Sequence, residues 1–340
     1  VNEHLSGKAR DELEGLFRPV SRQMMRVERL LKRWLREAPR SVSNPMSHTL
    51  GSGGKRLRPG LVLLCSRIGE AEPRDEEACW VAGVSEMIHT ASLIHDDVVD
   101  EARLRRGHPT VGEKWNPHRA LLVGDYWYSW MMHFLVGLAG DWPAAVSVCS
   151  EITQAVCEMC DTEAAQQETD RLEMGQEEYV ALAGDKTGSL MATCCKVGGW
   201  CWDAPKQDRQ VLSRFGRALG IAFQIADDLL DIRASEKITG KVRGWDLSQN
   251  SPSLPLIWAL KLSQGKDRDF LRKVWSGKGA KAKEVERVFR IVEECGALEA
   301  SQRAAASYAK KARSLLSRWP DSPYRDSLAS LTCYAISRDR

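Results

Sequence analysis

Two aspartate trios constrain this chain more than anything else in it. Asp96, Asp97 and Asp100 interrupt an apolar helical run at 89–106, and Asp227, Asp228 and Asp231 repeat the spacing at 223–232. On a helix the first and last acids of each trio lie one turn apart and point the same way, while the middle acid sits about 100° round. Like charges at that spacing repel, so a helix that keeps them holds cations between them. Carboxylates with room for water suit Mg²⁺, which takes one or two of them together with substrate phosphates. One trio could be a solvated face, but two, each in its own apolar helix, point to opposed carboxylate faces clamping a polyphosphate across a cleft.

The rest of the composition narrows the class. The 340 residues are 43% hydrophobic and 28% charged, ordinary for a globular protein with a sizeable core. A net charge of +3 argues against nucleic acid as a partner, and there is no aromatic-and-basic ladder of the kind a single-strand binder uses. The ten cysteines lack paired metal-ligand spacing. Cys157 and Cys160 form an isolated C-x-x-C in an apolar stretch, where cysteine acts as a small hydrophobe; Cys194, Cys195 and Cys201 read as core. Reduced thiols and an N-terminus without a signal peptide imply a cytoplasmic location. Residues 120–140 are apolar enough to raise a membrane span, but Asp125 and His133 inside them favour a helix buried on all sides of a bundle.

Taken in order, residues 8–37 carry apolar positions at helical spacing (Leu13, Phe17, Val20, Val27, Leu31 and Trp34 among them), giving amphipathic N-terminal helices over 1–40 that pack on the bundle. Pro39 and Pro45 then break the chain. The stretch Gly-Ser-Gly-Gly-Lys-Arg-Leu-Arg-Pro-Gly at 51–60 precedes an apolar helix from Leu61. Its glycines, with Lys55, Arg56 and Arg58 at a helix start, suit a diphosphate, although the frame is not a Walker A loop. Arg105 and Arg106 close the first trio in a basic turn. Further helices are expected at 143–168, 176–199 (with Gly184-Asp185-Lys186-Thr187-Gly188 inside), 208–232, 256–263 and through 267–340. No β-alternation of useful length appears. The expectation is an all-α, single-domain helical bundle over 1–340.

With both D-D-x-x-D motifs, the Gly-Gly-Lys-Arg-Leu-Arg-Pro loop and the Arg-Arg turn in view, the chain resembles the trans-isoprenyl diphosphate synthases, most of all their long-chain polyprenyl members, from about residue 45 onward. The resemblance implies a bundle around a deep central cavity, a homodimer (with a heteromeric partner open), and head-to-tail condensation of isopentenyl diphosphate with an allylic diphosphate. It implies three Mg²⁺ ions held by Asp96, Asp100 and Asp227, with Asp97, Asp228 and Asp231 in support. Arg105, Lys186, Thr187, Gln224 and Lys241 match the positions that hold the allylic diphosphate; Lys55, Arg58, His89 and Arg106 match those that hold isopentenyl diphosphate. A catalytic role is thereby implied for Lys186, Thr187, Gln224 and Arg105, and no protein nucleophile is needed.

Short-chain members of that family carry aromatics just before the first motif. Here those positions are Ala91 and Ser92, which leaves the tunnel open toward products longer than geranylgeranyl that are handed on to a membrane. The next floor is the aromatic cluster Tyr126, Trp127, Tyr128 and Trp130. Three departures stand out: Ser251 aligns where a lysine is usual, Asp185 precedes Lys186 and weakens the local positive field, and tryptophan is abundant at 12 residues. Two other readings compete. A terpene cyclase on the same scaffold would not need Lys55, Arg58, His89, Arg105 and Arg106, and a non-catalytic subunit of a heteromeric synthase would lose aspartates that are intact here.

Overall fold

The N-terminal apolar pattern becomes two helices, α1 (Gly7–Leu16) and α2 (Ser21–Glu37), joined by a tight turn at Arg18–Val20. Val27, Leu31 and Trp34 recur at helical spacing and form the buried stripe of α2. The computed structural model describes residues 7–166, 172–233, 247, 251–276 and 282–337. Among these residues the only strand pairing is a two-residue hairpin, Leu104–Arg105 against His108–Pro109.

Pro39 ends α2 and stands at the start of α3 (Arg40–Gly51), but Pro45 lies buried inside α3 instead of breaking it. Proline at that position cannot donate to the carbonyl four residues back, that of Ser41. The orphaned oxygen is taken up by the Arg119 guanidinium, with contacts of 2.9 and 3.2 Å, and the helix continues.

The basic loop leads into α4 (Leu57–Cys65), four residues earlier than the apolar pattern suggests, and α4 precedes the 25-residue α5 (Asp75–Val99) that carries the first trio. After the hairpin come α6 (Val111–Lys114), α7 (Pro117–Gly137), α8 (Ala144–Gln166) and α9 (Gln176–Ala183). A wide helical turn at Gly184–Gly188 joins α9 to α10 (Ser189–Trp200), followed by the 28-residue α11 (Lys206–Arg233) with the second trio. The remaining helices are α12 (Leu254–Leu262), α13 (Gly265–Trp275), α14 (Ala282–Glu294), α15 (Ala297–Leu315) and α16 (Pro323–Ile336).

Two buried apolar clusters meet along α11. Phe215 and Leu219 join the larger one, built from α2, α4, α5, α7 and α10. Further along the same helix, Ile225, Leu229 and Ile232 join the other, formed with α9 and α12 to α15. Where α5 crosses α7, His95 sits over Gly124, and a Cβ there would come within 2.0 Å of the imidazole, so only glycine admits the contact.

α7 is not buried on all sides, as its apolar sequence suggested. Leu121, Leu122 and Val136 are 41%, 54% and 54% exposed, and Val146 of α8 is 53% exposed. Asp125 and His133 share that open face, which accounts for polar residues in an apolar helix. Among the described residues no helix is long and apolar enough to cross a membrane. All ten thiols are free; Cys194, Cys195 and Cys201 are core as expected, whereas Cys157 and Cys160 are exposed on α8 and are not core packing.

Candidate active site

Asp96 and Asp97 form the last turn of α5, and Asp100 caps it. A helix C-terminus carries the negative end of the macrodipole, so three carboxylates there need positive partners. Asp97 turns inward, is 5% exposed, and accepts from Arg105 Nε at 2.7 Å. Arg105 reaches it because the hairpin reverses through Arg106 and Gly107 with φ of 51° and 76°, the left-handed pair of a tight hairpin turn. Asp96 is half-buried, and burial pushes its carboxyl up to about 6, with Glu163 and Asp100 adding to the shift and Lys186 and Arg105 opposing it.

The second trio repeats the division of labour. Asp228 is 1% exposed and accepts from the Tyr179 hydroxyl at 2.6 Å, the Leu254 amide at 2.9 Å and Gln224 Nε2 at 3.0 Å. It thereby ties α9, α11 and the start of α12 together. Asp227 and Asp231 are only partly buried. In both trios the middle acid is bonded into the protein, and the outer acids keep the exposure a ligand requires.

The basic side of the site is built by the loop before α4. Arg56 occupies left-handed backbone, φ 47°, and donates to Glu28 at 2.7 Å, to Glu86 at 2.9 Å and to the Leu50 carbonyl at 3.3 Å. Lys55 lies over the rings of Phe223 and Tyr334 at 5.8 and 5.5 Å, close enough for cation–π attraction. Arg58 is held below the usual guanidinium range by burial, against attraction from Cys194, Glu86, Asp96 and Asp227. Both Asp96 and Asp227 act on its charge, one acid from each trio. Its Nε is buried with no hydrogen-bond partner, an orphaned donor. His89 stays neutral, its pKa well below the ordinary value, through burial and the nearby Arg58, Arg106, Arg105 and Arg56. Arg106 is likewise lowered, by burial and then by its neighbour Arg105.

Lys186 and Thr187 lie in the wide turn Gly184–Gly188, an irregularity that interrupts a helix and re-aims its side chains. The Lys186 ammonium contacts Glu163 at 2.6 Å. Burial alone would lower its pKa, but Glu163, Asp96 and Asp100 together raise it. Thr187 donates its hydroxyl to Gln224 Oε1 at 2.7 Å, which fixes the amide so that Nε2 donates to Asp228. Asp185 does not weaken the field as its sequence position suggested, because Arg217 of α11 pairs with it.

Ala91 and Ser92 are buried below the first trio. Tyr128 of α7 is close enough to Ser92 and Asp96 for both to act on its phenol, which burial raises, while the Ser92 hydroxyl donates to the His89 carbonyl at 2.8 Å. Trp127 points the other way: it is fully buried, and its indole donates to the Val42 carbonyl at 3.3 Å. Tyr126 packs edge-on against Trp127 at 5.4 Å. Of the expected floor, Tyr128 is therefore the member that meets Ser92, because successive helical residues lie about 100° apart. Trp34, Trp80 and Trp130 join Phe134 in one aromatic cluster, an account for some of the tryptophans. Lys241 lies outside the described residues, and Ser251 is partly buried. Sequence reasoning missed Glu28, Glu86 and Glu163. Their signal was an acid on an otherwise basic or apolar helix face, which spacing alone does not assign.

Among the described residues no three metal-ligating side chains already converge on one point. Outer carboxylates near two helix ends, a buried arginine with an orphaned Nε and several arginines about a neutral histidine form an all-helical site with the charges that phosphate ligands require. The polyprenyl synthetase family model matches residues 39–292, and the chain belongs to that family and is a prenyltransferase. It is 36% identical to the nonaprenyl diphosphate synthase of Mycobacterium tuberculosis, over 92% of this chain and 91% of that one. It is 31% identical to a short chain isoprenyl diphosphate synthase of Methanothermobacter thermautotrophicus, over 88% and 91%. The polyprenyl synthase of Caulobacter crescentus, solved with calcium and isoprenyl diphosphate, superposes with a TM-score of 0.90 at 28% identity, covering 96% of this chain and 98% of that one.

Proposed function

We propose that the chain condenses isopentenyl diphosphate head-to-tail with an allylic diphosphate, farnesyl or geranylgeranyl, and extends it past the geranylgeranyl length. The observation that carries the reading is Arg58, whose buried Nε has no hydrogen-bond partner and whose charge interacts with Asp96, Asp227 and neutral His89. Asp96, Asp100 and Asp227 would hold magnesium, three ions in all, with Asp97, Asp228 and Asp231 as supports. When bound, magnesium supplies charge stabilisation for a departing diphosphate.

The chain's own residues do the rest. Arg105, Lys186, Thr187 and Gln224, with Lys241, bind the allylic diphosphate and orient its leaving oxygen. Lys55, Arg58, His89 and Arg106 bind the second diphosphate, so that its double bond faces the allylic carbon. Such donors, fixed in a water-poor site, favour the charge that develops as the allylic C–O bond breaks. Ala91, Ser92 and Tyr128 form the apolar wall that shields the cation from water until the new bond forms and a proton is lost.

The exposed apolar face of α7 and α8 is suited to a second copy of this chain, and a homodimer is the expected assembly, working in the cytoplasm as a single-domain protomer. The test is incubation with Mg²⁺, labelled isopentenyl diphosphate and either primer, with products resolved by length. A polyprenyl ladder beyond geranylgeranyl supports the reading. Cyclised hydrocarbon would favour a cyclase, and absence of any product would rule out a stand-alone synthase.

A further inference from the structure

The family model begins at residue 39, so α2 lies outside the matched stretch, and its charged face reads from sequence as solvated surface. One of its acids, half-exposed, also reaches inward. Glu28 of α2 accepts from Arg56 Nε at 2.7 Å, while Glu86 of α5 accepts from Nη1 of the same guanidinium at 2.9 Å. Glu86 is 4% exposed, and its carboxylate acts on both Arg58 and Arg106. Arg56 itself is in left-handed backbone between Lys55 and Leu57, a conformation that is strained for a residue with a side chain.

We infer that the Glu28–Arg56–Glu86 bridge positions the isopentenyl diphosphate site, and that α2 is thereby a working part of it. The inference rests on the reading given under Proposed function. Two physical consequences carry it. First, a lone buried carboxylate beside Arg58 and Arg106 would compete with a diphosphate for those guanidiniums. Arg56 occupies Glu86 with a charge-assisted hydrogen bond and leaves the other two arginines to the ligand. Second, Glu28 anchors Arg56 from the opposite side, and this pair of bonds with the Leu50 carbonyl holds the left-handed residue that sets where Lys55 and Arg58 emerge. The crowding leaves little slack: a Cβ on Gly54 would come within 2.7 Å of the Arg56 guanidinium and 3.4 Å of that of Arg106. Glu28 and Arg56 touch no substrate in this scheme; they are positioning residues.

The test uses Glu28→Gln, which keeps the shape of a half-exposed side chain and removes its charge. Binding of isopentenyl diphosphate is measured by calorimetry without Mg²⁺, and KM is measured separately for isopentenyl diphosphate and for the allylic primer. The expected result is a three- to tenfold weakening of isopentenyl diphosphate in both assays, in line with loss of one half-exposed ion pair of about 1 kcal/mol, with the primer KM within twofold and the melting temperature lowered by no more than about 4 °C. In a double-mutant cycle, Glu28→Gln adds no further loss on an Arg56→Gln background. Unchanged isopentenyl diphosphate binding overturns the inference, as does a parallel rise of both KM values with a fall in melting temperature. Calorimetry reads the bridge even if no polyprenyl product forms, so its failure is distinct from failure of the proposed activity.

Discussion

Glu163 of α8 holds the Lys186 ammonium at 2.6 Å, across the turn that carries Gly184-Asp185-Lys186-Thr187-Gly188. A diphosphate that reaches Lys186 therefore meets a lysine already paired and a carboxylate that repels it. Glu163→Gln removes the repulsion, worth about 1 kcal/mol for partly buried charges. Inorganic pyrophosphate without Mg²⁺ is expected to bind roughly three- to tenfold more tightly by calorimetry. The same change loosens Lys186, so kcat should fall while the primer KM does not rise. Unaltered pyrophosphate affinity would mean that Glu163 does not compete for Lys186.

Adjacent acids of the second trio should fail differently. Asp228→Ala leaves the Tyr179 hydroxyl, the Leu254 amide and the Gln224 amide without their acceptor, and stranding buried donors around a lost charge costs about 3–5 kcal/mol. Asp227 is partly exposed, so Asp227→Ala should keep its melting temperature within a few degrees and lose turnover by orders of magnitude. Chemical denaturation set beside a turnover assay separates the two. Equal stability losses would contradict the division between outer and middle acids.

Much of this division was legible in the sequence, and the illegible part has physical causes. The spacing of each trio fixed the helix and the one-turn separation of its outer acids, but which acid turns inward depends on neighbours distant in the chain, such as Arg105 and Tyr179. The same holds for Asp185, which looked like a flaw until Arg217 of α11 came beside it. Pro45 read as a breaker because the acceptor relief from Arg119 comes from 74 residues downstream. Apolarity alone made α7 look fully buried, and only its packing reveals the open face. Trp127 and Tyr128 are equivalent as composition, and a 100° rotation separates them.

Asp96 gives the metal-free protein a distinct pH dependence. Its carboxyl sits at about 6 in the fold, above the ordinary 3.8, chiefly through burial. A raised carboxyl favours the folded state fully below its unfolded value, and that contribution is lost as pH rises through 6. Two units correspond to at most about 3 kcal/mol. Metal-free wild type should therefore lose melting temperature between pH 4 and 7 relative to Asp96→Asn, and Mg²⁺ with pyrophosphate should close the gap for wild type only. Parallel melting curves for the two proteins across that range would show that the Asp96 charge is not penalised.

Product length should respond to Tyr128 and not to its neighbour. Tyr128 lies near Ser92 beneath the first trio, on the side the proposed function gives to the growing chain, whereas Trp127 is anchored to the Val42 carbonyl. Tyr128→Ala removes an aromatic ring from that wall and opens a volume that one or two further isoprene units can fill. The product ladder on thin-layer separation should shift upward by at least one unit, at some cost in yield. Trp127→Ala should leave the ladder in place and lower stability by about 3–5 kcal/mol, the range for emptying a buried aromatic site. If the ladder lengthens with Trp127→Ala and not with Tyr128→Ala, the tunnel runs on the α3 side of α7, and the wall assigned to Ser92 and Tyr128 is wrong.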